Sequence, residues 1–122
     1  MKYVIEGKPL SVNNAKAAVN VRGKLRMIST SKARKWKDTA VWSLKAQNGT
    51  TPRIEGPCSL SISVFLPTAA GDVDNYVKSA MDALQSAGII LNDRQVQRIS
   101  VTKAQDKYRP RVEITVEIDR EP

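Results

Sequence analysis

The stretch Cys58-Ser59-Leu60-Ser61-Ile62-Ser63-Val64-Phe65-Leu66, closed by Pro67, anchors the reading of the fold. Cys58, Leu60, Ile62, Val64 and Leu66 alternate with Ser59, Ser61, Ser63 and Phe65. A period of two puts the first set on one face, so the segment reads as a strand with one buried side. Cys58 falls on that side and is expected to be an inert core thiol rather than a reactive one. Pro67 lacks the N–H that would continue a ladder. Downstream, Thr68 to Val73 reads as a loop. Val77, Ala80, Met81 and Leu84 then recur at helical spacing, with Gly88 as the stop. Ile89-Ile90-Leu91 is a short apolar run ending at Asn92-Asp93. Arg98 to Ala104 and Arg111 to Ile118 read as a hairpin turning near Asp106 to Pro110.

Upstream, Tyr3 to Glu6 reads as a short strand, ended by Gly7-Lys8-Pro9. Ala17 to Val21 and Lys24 to Ile28 read as two arms of a hairpin around Arg22-Gly23. Ser29-Thr30-Ser31 offers N-caps for a helix in which Ala33, Trp36, Ala40 and Leu44 form the apolar stripe. Asn48-Gly49 stops it. Trp36 is expected in the core. Trp42 lies about 120° away from it and is expected at a second contact surface or in solvent. The order is strand, hairpin, helix, strand, helix, hairpin. The expected fold is α+β, with two principal helices packed on a mixed, mainly antiparallel sheet, in a single domain over residues 1–122.

Charge separates the two halves of the chain. Residues 1–53 hold twelve Lys or Arg against Glu6 and Asp38 alone, whereas residues 54–122 hold eight against ten acids. A basic half suggests a polyanion, with nucleic acid ahead of an acidic membrane surface. One cysteine permits no intrachain disulfide. No apolar run reaches membrane-spanning length, so the expectation is a soluble, intracellular protein. There is no histidine. A His general base and a His-held metal are therefore excluded, and any metal must be held by oxygen, which points to Mg or Mn. No glycine-rich loop ends in Gly-Lys-Ser/Thr.

Chemistry concentrates in Gly71-Asp72-Val73-Asp74-Asn75-Tyr76-Val77-Lys78. Asp72 and Asp74 are two apart in an extended segment, so their side chains share a direction. Lys78 follows Asp74 by one helical turn. Asp93 comes after an apolar segment expected to run back beside the sheet and close the cluster. Three carboxylates on a basic chain suit a divalent metal for phosphodiester cleavage, with Lys78 stabilising charge on the phosphate or helping to activate water. A purely structural reading stands beside this one. Asp74 is then an N-cap, Asp74–Lys78 and Lys78–Asp82 are surface pairs, and Asn92-Asp93 are turn residues.

The run Asp72-Val73-Asp74-Asn75-Tyr76-Val77-Lys78, then Asp82-Ala83-Leu84, Ala87-Gly88 and Leu91-Asn92-Asp93-Arg94-Gln95-Val96, resembles the core of the RusA family of crossover junction endodeoxyribonucleases. Pro9-Leu10-Ser11-Val12-Asn13 is similar to the Pro-x-Ser-x-Asn loop of that family. The resemblance implies a homodimer with two acidic sites, Mg or Mn as cofactor, and paired nicks in a four-way (Holliday) junction during recombination and repair. It assigns the carboxylates to Asp72, Asp74 and Asp93, as metal ligands and catalytic groups, and the functional lysine to Lys78. Asn75 matches a motif position and is assigned to shaping the turn. A phage or prophage origin is compatible with the family. The chain departs from it twice. Thr68-Ala69-Ala70-Gly71 is uncharged where members often carry basic residues, and Asn92 stands where many have a second acid.

On this reading branched DNA lies across Lys16, Arg22, Lys24, Arg26, Arg34, Lys35 and Lys37. Two rival readings are a non-catalytic nucleic-acid-binding module and a phosphohydrolase acting on small phosphoesters. The sparse aromatics and the breadth of the basic surface weigh against the second.

Overall fold

The computed structural model describes residues 1–11, 16–69 and 71–119, and only the backbone of Lys16, Ala17, Ile28 and Ser29. Val12 and Asn13 of the Pro-Leu-Ser-Val-Asn loop lie outside the described residues. The elements in order are β1 (Lys2–Glu6), β2 (Lys16–Val21), β3 (Lys24–Ser29), α1 (Ser31–Asn48), β4 (Cys58–Leu66), α2 (Val77–Ser86), β5 (Val96–Gln105) and β6 (Arg111–Ile118). Short 3₁₀ turns at Val73–Tyr76 and Asp93–Gln95 precede α2 and β5.

Four strands form one sheet in the order β1-β6-β4-β5. β4 pairs antiparallel with β6 and parallel with β5, and β1 pairs antiparallel with β6. The expected C-terminal hairpin is therefore corrected. β5 and β6 are not neighbours, because β4 lies between them. The physical reason is the crossover: α2 carries the chain from the end of β4 back to its start, so β5 runs beside β4 in the same direction. The β2–β3 hairpin is a separate two-stranded sheet. Its turn residues Arg22 and Gly23 have φ of 51° and 77°, the left-handed pair that a two-residue hairpin turn requires.

One face of the four-stranded sheet carries the core. Cys58, Leu60, Ile62, Val64 and Leu66 of β4 and Val112, Ile114 and Val116 of β6 are buried there with Tyr3 and Ile5. Ala40 and Leu44 of α1 and Ala80, Ala83 and Leu84 of α2 join the same cluster. The other face is polar and bears Ser59, Ser61 and Ser63. This is the one-sided pattern of an antiparallel-type sheet packed on a single layer. Both helices are finished as their sequences require. Thr30 Oγ1 accepts from the N–H of Ala33 at 3.0 Å to cap α1. Gly88 N–H donates to Gln85 O and Ile89 N–H to Leu84 O to close α2, the Schellman arrangement.

Trp36 packs partly against the core, and its indole nitrogen is buried without a partner. Trp42 is 78% exposed. No described helix is long and apolar enough to cross a membrane. No described polar or charged residue is buried, so any chemistry lies on the surface of this fold.

Candidate active site

The segment after β4 is held from two sides. Gly71 has φ of 104°, and a Cβ there would sit 2.8 Å from the Tyr76 hydroxyl. Glycine is thus required both by the backbone and by the close approach of the ring. From β5, Lys103 Nζ donates to Ala69 O at 3.0 Å and to Gly71 O at 2.7 Å. Asp72 follows in extended conformation, and its carbonyl accepts from the N–H of Asn75 at 3.1 Å. That bond makes the turn that Asn75 was expected to shape, through its backbone. Ser79 Oγ donates to Leu10 O at 2.8 Å, which ties α2 to the Pro9-Leu10-Ser11 loop.

The Asp93 turn is held more firmly. Asn92 Oδ1 accepts from the N–H of Arg94 at 3.0 Å. Gln95 Oε1 accepts from the N–H groups of Leu91 and Asn92 at 2.6 and 2.8 Å. Gln95 Nε2 donates to Ile54 O and Gly56 O at 2.7 and 2.9 Å. One side chain thus makes two bonds at the turn and two to the segment leading into β4, fixing the one to the other. Asn92 is a cap for the 3₁₀ turn, which gives this departure from the expected motif a structural use. Sequence reasoning treated Gln95 only as part of a motif.

These two segments meet at one open pocket of about 520 Å³, lined by Asp74, Val77, Lys78, Met81, Asp82, Asp93 and Ile99. Lys78 and Asp82 are four apart on one face of α2, and Asp74 joins them from the 3₁₀ turn that precedes it. Asp82 was read from sequence as a surface partner of Lys78, yet no ion pair joins Lys78 to either acid among the described residues. The N-cap reading of Asp74 also fails. Asp72 holds the cap position, and its side chain makes no capping bond. Asp74, Lys78, Asp82 and Asp93 are all exposed.

Asp72 is not among the residues lining this pocket. No group of three or more Asp, Glu or Cys among the described residues is close enough to hold one metal ion. The donor set suits a hard divalent cation, being carboxylate oxygen throughout. Its members share a pocket without converging on one point.

A second pocket of about 320 Å³ adjoins along the same loop and brings Lys8 and Lys32 to Ser11, Thr68, Gly71, Asn75 and Tyr76. Neither lysine was singled out from the sequence. They are far apart in the chain, and only the fold joins them.

The family described as Endodeoxyribonuclease RusA matches residues 6–117. The chain belongs to the RusA endodeoxyribonuclease family. It is 31% identical over 83 positions, 66% of this chain, to the crossover junction endodeoxyribonuclease RusA of Aquifex aeolicus, of which the match spans 64%. It is also 27% identical over 138 positions, 95% of this chain and 94% of the relative, to the uncharacterized protein YqaN of Bacillus subtilis.

The basic residues are distributed unevenly over this chain. Arg22, Lys24 and Arg26 are exposed on the β2–β3 hairpin, beside Leu25 and Met27, which are 77% and 62% exposed. The side chain of Lys16 lies outside the described residues. Arg34, Lys35 and Lys37 are exposed on α1. They do not form one stripe, since Lys35 and Lys37 are about 160° apart at 3.6 residues per turn.

Proposed function

We propose that this chain is a divalent-metal-dependent, structure-selective endodeoxyribonuclease that resolves four-way DNA junctions by paired nicks, acting inside the cell as a homodimer. The observation that supports it most is the pocket where Asp74, Lys78, Asp82 and Asp93 meet without pairing one another. Unpaired carboxylates on a net-basic surface are costly next to DNA unless a cation offsets them, which is what a metal nuclease requires. Asp74 and Asp93 are assigned to Mg or Mn, with Asp82 as a neighbouring acid in the same pocket and Asp72, outside the pocket lining, as a further ligand. A divalent cation held by these carboxylates would supply polarisation of the scissile phosphate and acidification of an attacking water. Lys78 lies on the pocket wall and is assigned to stabilising charge on the phosphate.

The DNA path is assigned to Arg22, Lys24 and Arg26 on the hairpin, to Lys16 at its base, and to Arg34, Lys35 and Lys37 on α1. Lys8 and Lys32 add a cationic pocket adjoining the acidic one. The spread of charge around α1 suits a partner with several arms rather than one straight duplex. The test is cleavage of a labelled four-way junction beside a linear duplex of the same sequence, in Mg, Mn or EDTA. Symmetric nicks in the junction alone, lost in EDTA, are expected. Tight binding with no cleavage in any metal would instead establish a binding module.

A further inference from the structure

The end of β5 gathers the backbone of the loop that carries Asp72. β4 and β5 run parallel, so they finish at the same side of the molecule. Four carbonyls from the end of β4 to Gly71 accept from three residues there. Leu66 O accepts from the N–H of Asp106 at 2.8 Å, and Pro67 O from Gln105 Nε2 at 3.3 Å. Ala69 O and Gly71 O both accept from Lys103 Nζ, at 3.0 and 2.7 Å.

The register explains why a lysine of β5 reaches that loop. Ile99, Val101 and Lys103 stand beside Leu60, Ile62 and Val64 of β4, which are buried on the helix side of the sheet. Alternate residues of a strand line one face, so these three form one row. Ile99 lines the acidic pocket. Val101 packs against the core. Lys103 ends the row where the loop crosses from β4 towards α2, and its four-carbon stem carries the charge up to the loop.

The two bonds of Lys103 differ in what they fix. Gly71 O belongs to the peptide unit that ends at the Asp72 nitrogen. That unit is planar, so holding its oxygen sets where Asp72 begins. On the other side, Asp72 O accepts from the N–H of Asn75. Asp72 is thus held through the peptide groups before and after it, while its side chain makes no capping bond. Lys103 makes no ion pair with a described acid. Its ammonium is spent on neutral oxygens, which leaves the adjacent carboxylate open to a cation. A lysine paired with Asp72 directly would compete with that cation instead.

We infer that Lys103 is the positioning residue for Asp72. It clamps the Ala69 and Gly71 carbonyls and so fixes the backbone from which the Asp72 carboxylate reaches a divalent cation. It acts through the backbone, without touching the cation or the DNA. The inference rests on the assignment of Asp72 as a metal ligand, and Asp72→Asn tests that assignment by itself.

Charge and position have opposite signs here. Taking a positive charge away from a cation site strengthens cation binding by Coulomb's law. Taking away the support that orients a metal ligand weakens binding, by about 10–100-fold. A loss of metal affinity on removing the Lys103 ammonium therefore cannot come from its charge.

The test is Mn affinity of the DNA-free protein, read from the electron paramagnetic resonance of free Mn, with Tm recorded for each variant. Lys103→Met keeps the stem and removes the donors, and its Mn affinity should fall by about tenfold. Lys103→Arg can still donate to both carbonyls and should recover most of that loss, with Lys103→Gln in between. Asp72→Asn should weaken Mn binding, and Asp72→Asn/Lys103→Met should be no weaker, because the lysine acts through Asp72. Junction affinity in EDTA and its salt slope should be the same in Lys103→Met as in the unmodified protein. Unchanged or tighter Mn binding in folded Lys103→Met, or an equal further loss in the Asp72→Asn background, would overturn the inference. A salt slope lowered by about 0.9 would also overturn it, by making Lys103 a phosphate contact. Asp72→Asn that binds Mn as the unmodified protein does would take Asp72 out of the metal site, and this inference with it, while leaving the pocket of Asp74 and Asp93 standing.

Discussion

Replacing Gln95 with Ala is expected to loosen the Asp93 turn and to slow cleavage beyond what lost stability explains. The side chain makes four bonds to backbone, to Leu91, Asn92, Ile54 and Gly56. Those to Asn92 and Ile54 are part-buried, while the other two are exposed. At about 1 kcal/mol for each part-buried bond and less for the exposed ones, the loss is about 2–3 kcal/mol. For a chain of this size that corresponds to a fall in Tm of about 8–12 °C. Well below that Tm the variant remains folded, but Asp93 is no longer fixed relative to Asp74. A displacement of about 1 Å is enough for a 10²-fold loss of rate, so single-turnover cleavage of a junction should fall by about 10–100-fold. Gln95→Glu keeps the acceptors for Leu91 and Asn92 but points a carboxylate at two carbonyls, and should fare no better at neutral pH. Gln47→Ala, which removes two bonds to the Val4 backbone at the opposite edge of the sheet, should lower Tm without slowing cleavage. An unchanged Tm and full activity in Gln95→Ala would refute this role for the clamp.

Gly71→Ala forces a Cβ onto the Tyr76 hydroxyl at a φ of 104°. It should cost about 1–3 kcal/mol and reduce cleavage, whereas Gly56→Ala, with open space around it, should be neutral by thermal melting. Stability should fall in acid. Lys2 and Arg111 hold Glu113 below its ordinary range, the Arg109 backbone N–H and the Arg111 guanidinium do the same for Asp106, and Arg109 for Glu6. Depressed folded pKa values stabilise above the unfolded carboxyl pKa, near 4, and that stabilisation is lost as pH falls through the folded values. Urea midpoints should therefore be level from about pH 7 to 5 and drop below about 4. Glu113→Gln should make that drop shallower. Each of Arg22→Ala, Lys24→Ala and Arg26→Ala that removes a phosphate contact should lower the slope of log affinity against log salt by about 0.9. Unchanged slopes in all three would take the hairpin off the DNA path.

Much of this fold was legible because burial leaves a period in the sequence. The alternation in β4 and β6, the stripes of α1 and α2 and the Arg22-Gly23 turn all appear where the pattern places them. The partner of β5 was not legible, since a strand pattern records which face is buried and not which strand lies alongside. β5 also alternates poorly, because as an exposed edge strand only Val96 and Val101 pack against the core. At the candidate site, local spacing brought Asp74 and Lys78 together and the apolar run before Asn92 suggested Asp93 beside them, and these three do line one pocket. From the sequence Asp82 reads only as a surface partner of Lys78 and as part of the Asp-Ala-Leu segment, because four-residue spacing alone does not distinguish an ion pair from a shared pocket. Lys8, Lys32 and Lys103 act across long sequence separations that only the fold closes. The convergence of Asp72 with the other two acids was an expectation that the pocket lining does not include.

The most direct measurement is single-turnover cleavage of a labelled four-way junction by Asp93→Asn in Mn, with junction affinity and Tm measured on the same protein. Asp93 makes no ion pair with a described residue, so the substitution should leave Tm unchanged. Removing a negative charge should hold or tighten junction binding, while nicking should disappear. Nicking at the parental rate by a folded Asp93→Asn protein would contradict the assignment of this pocket as the cutting centre.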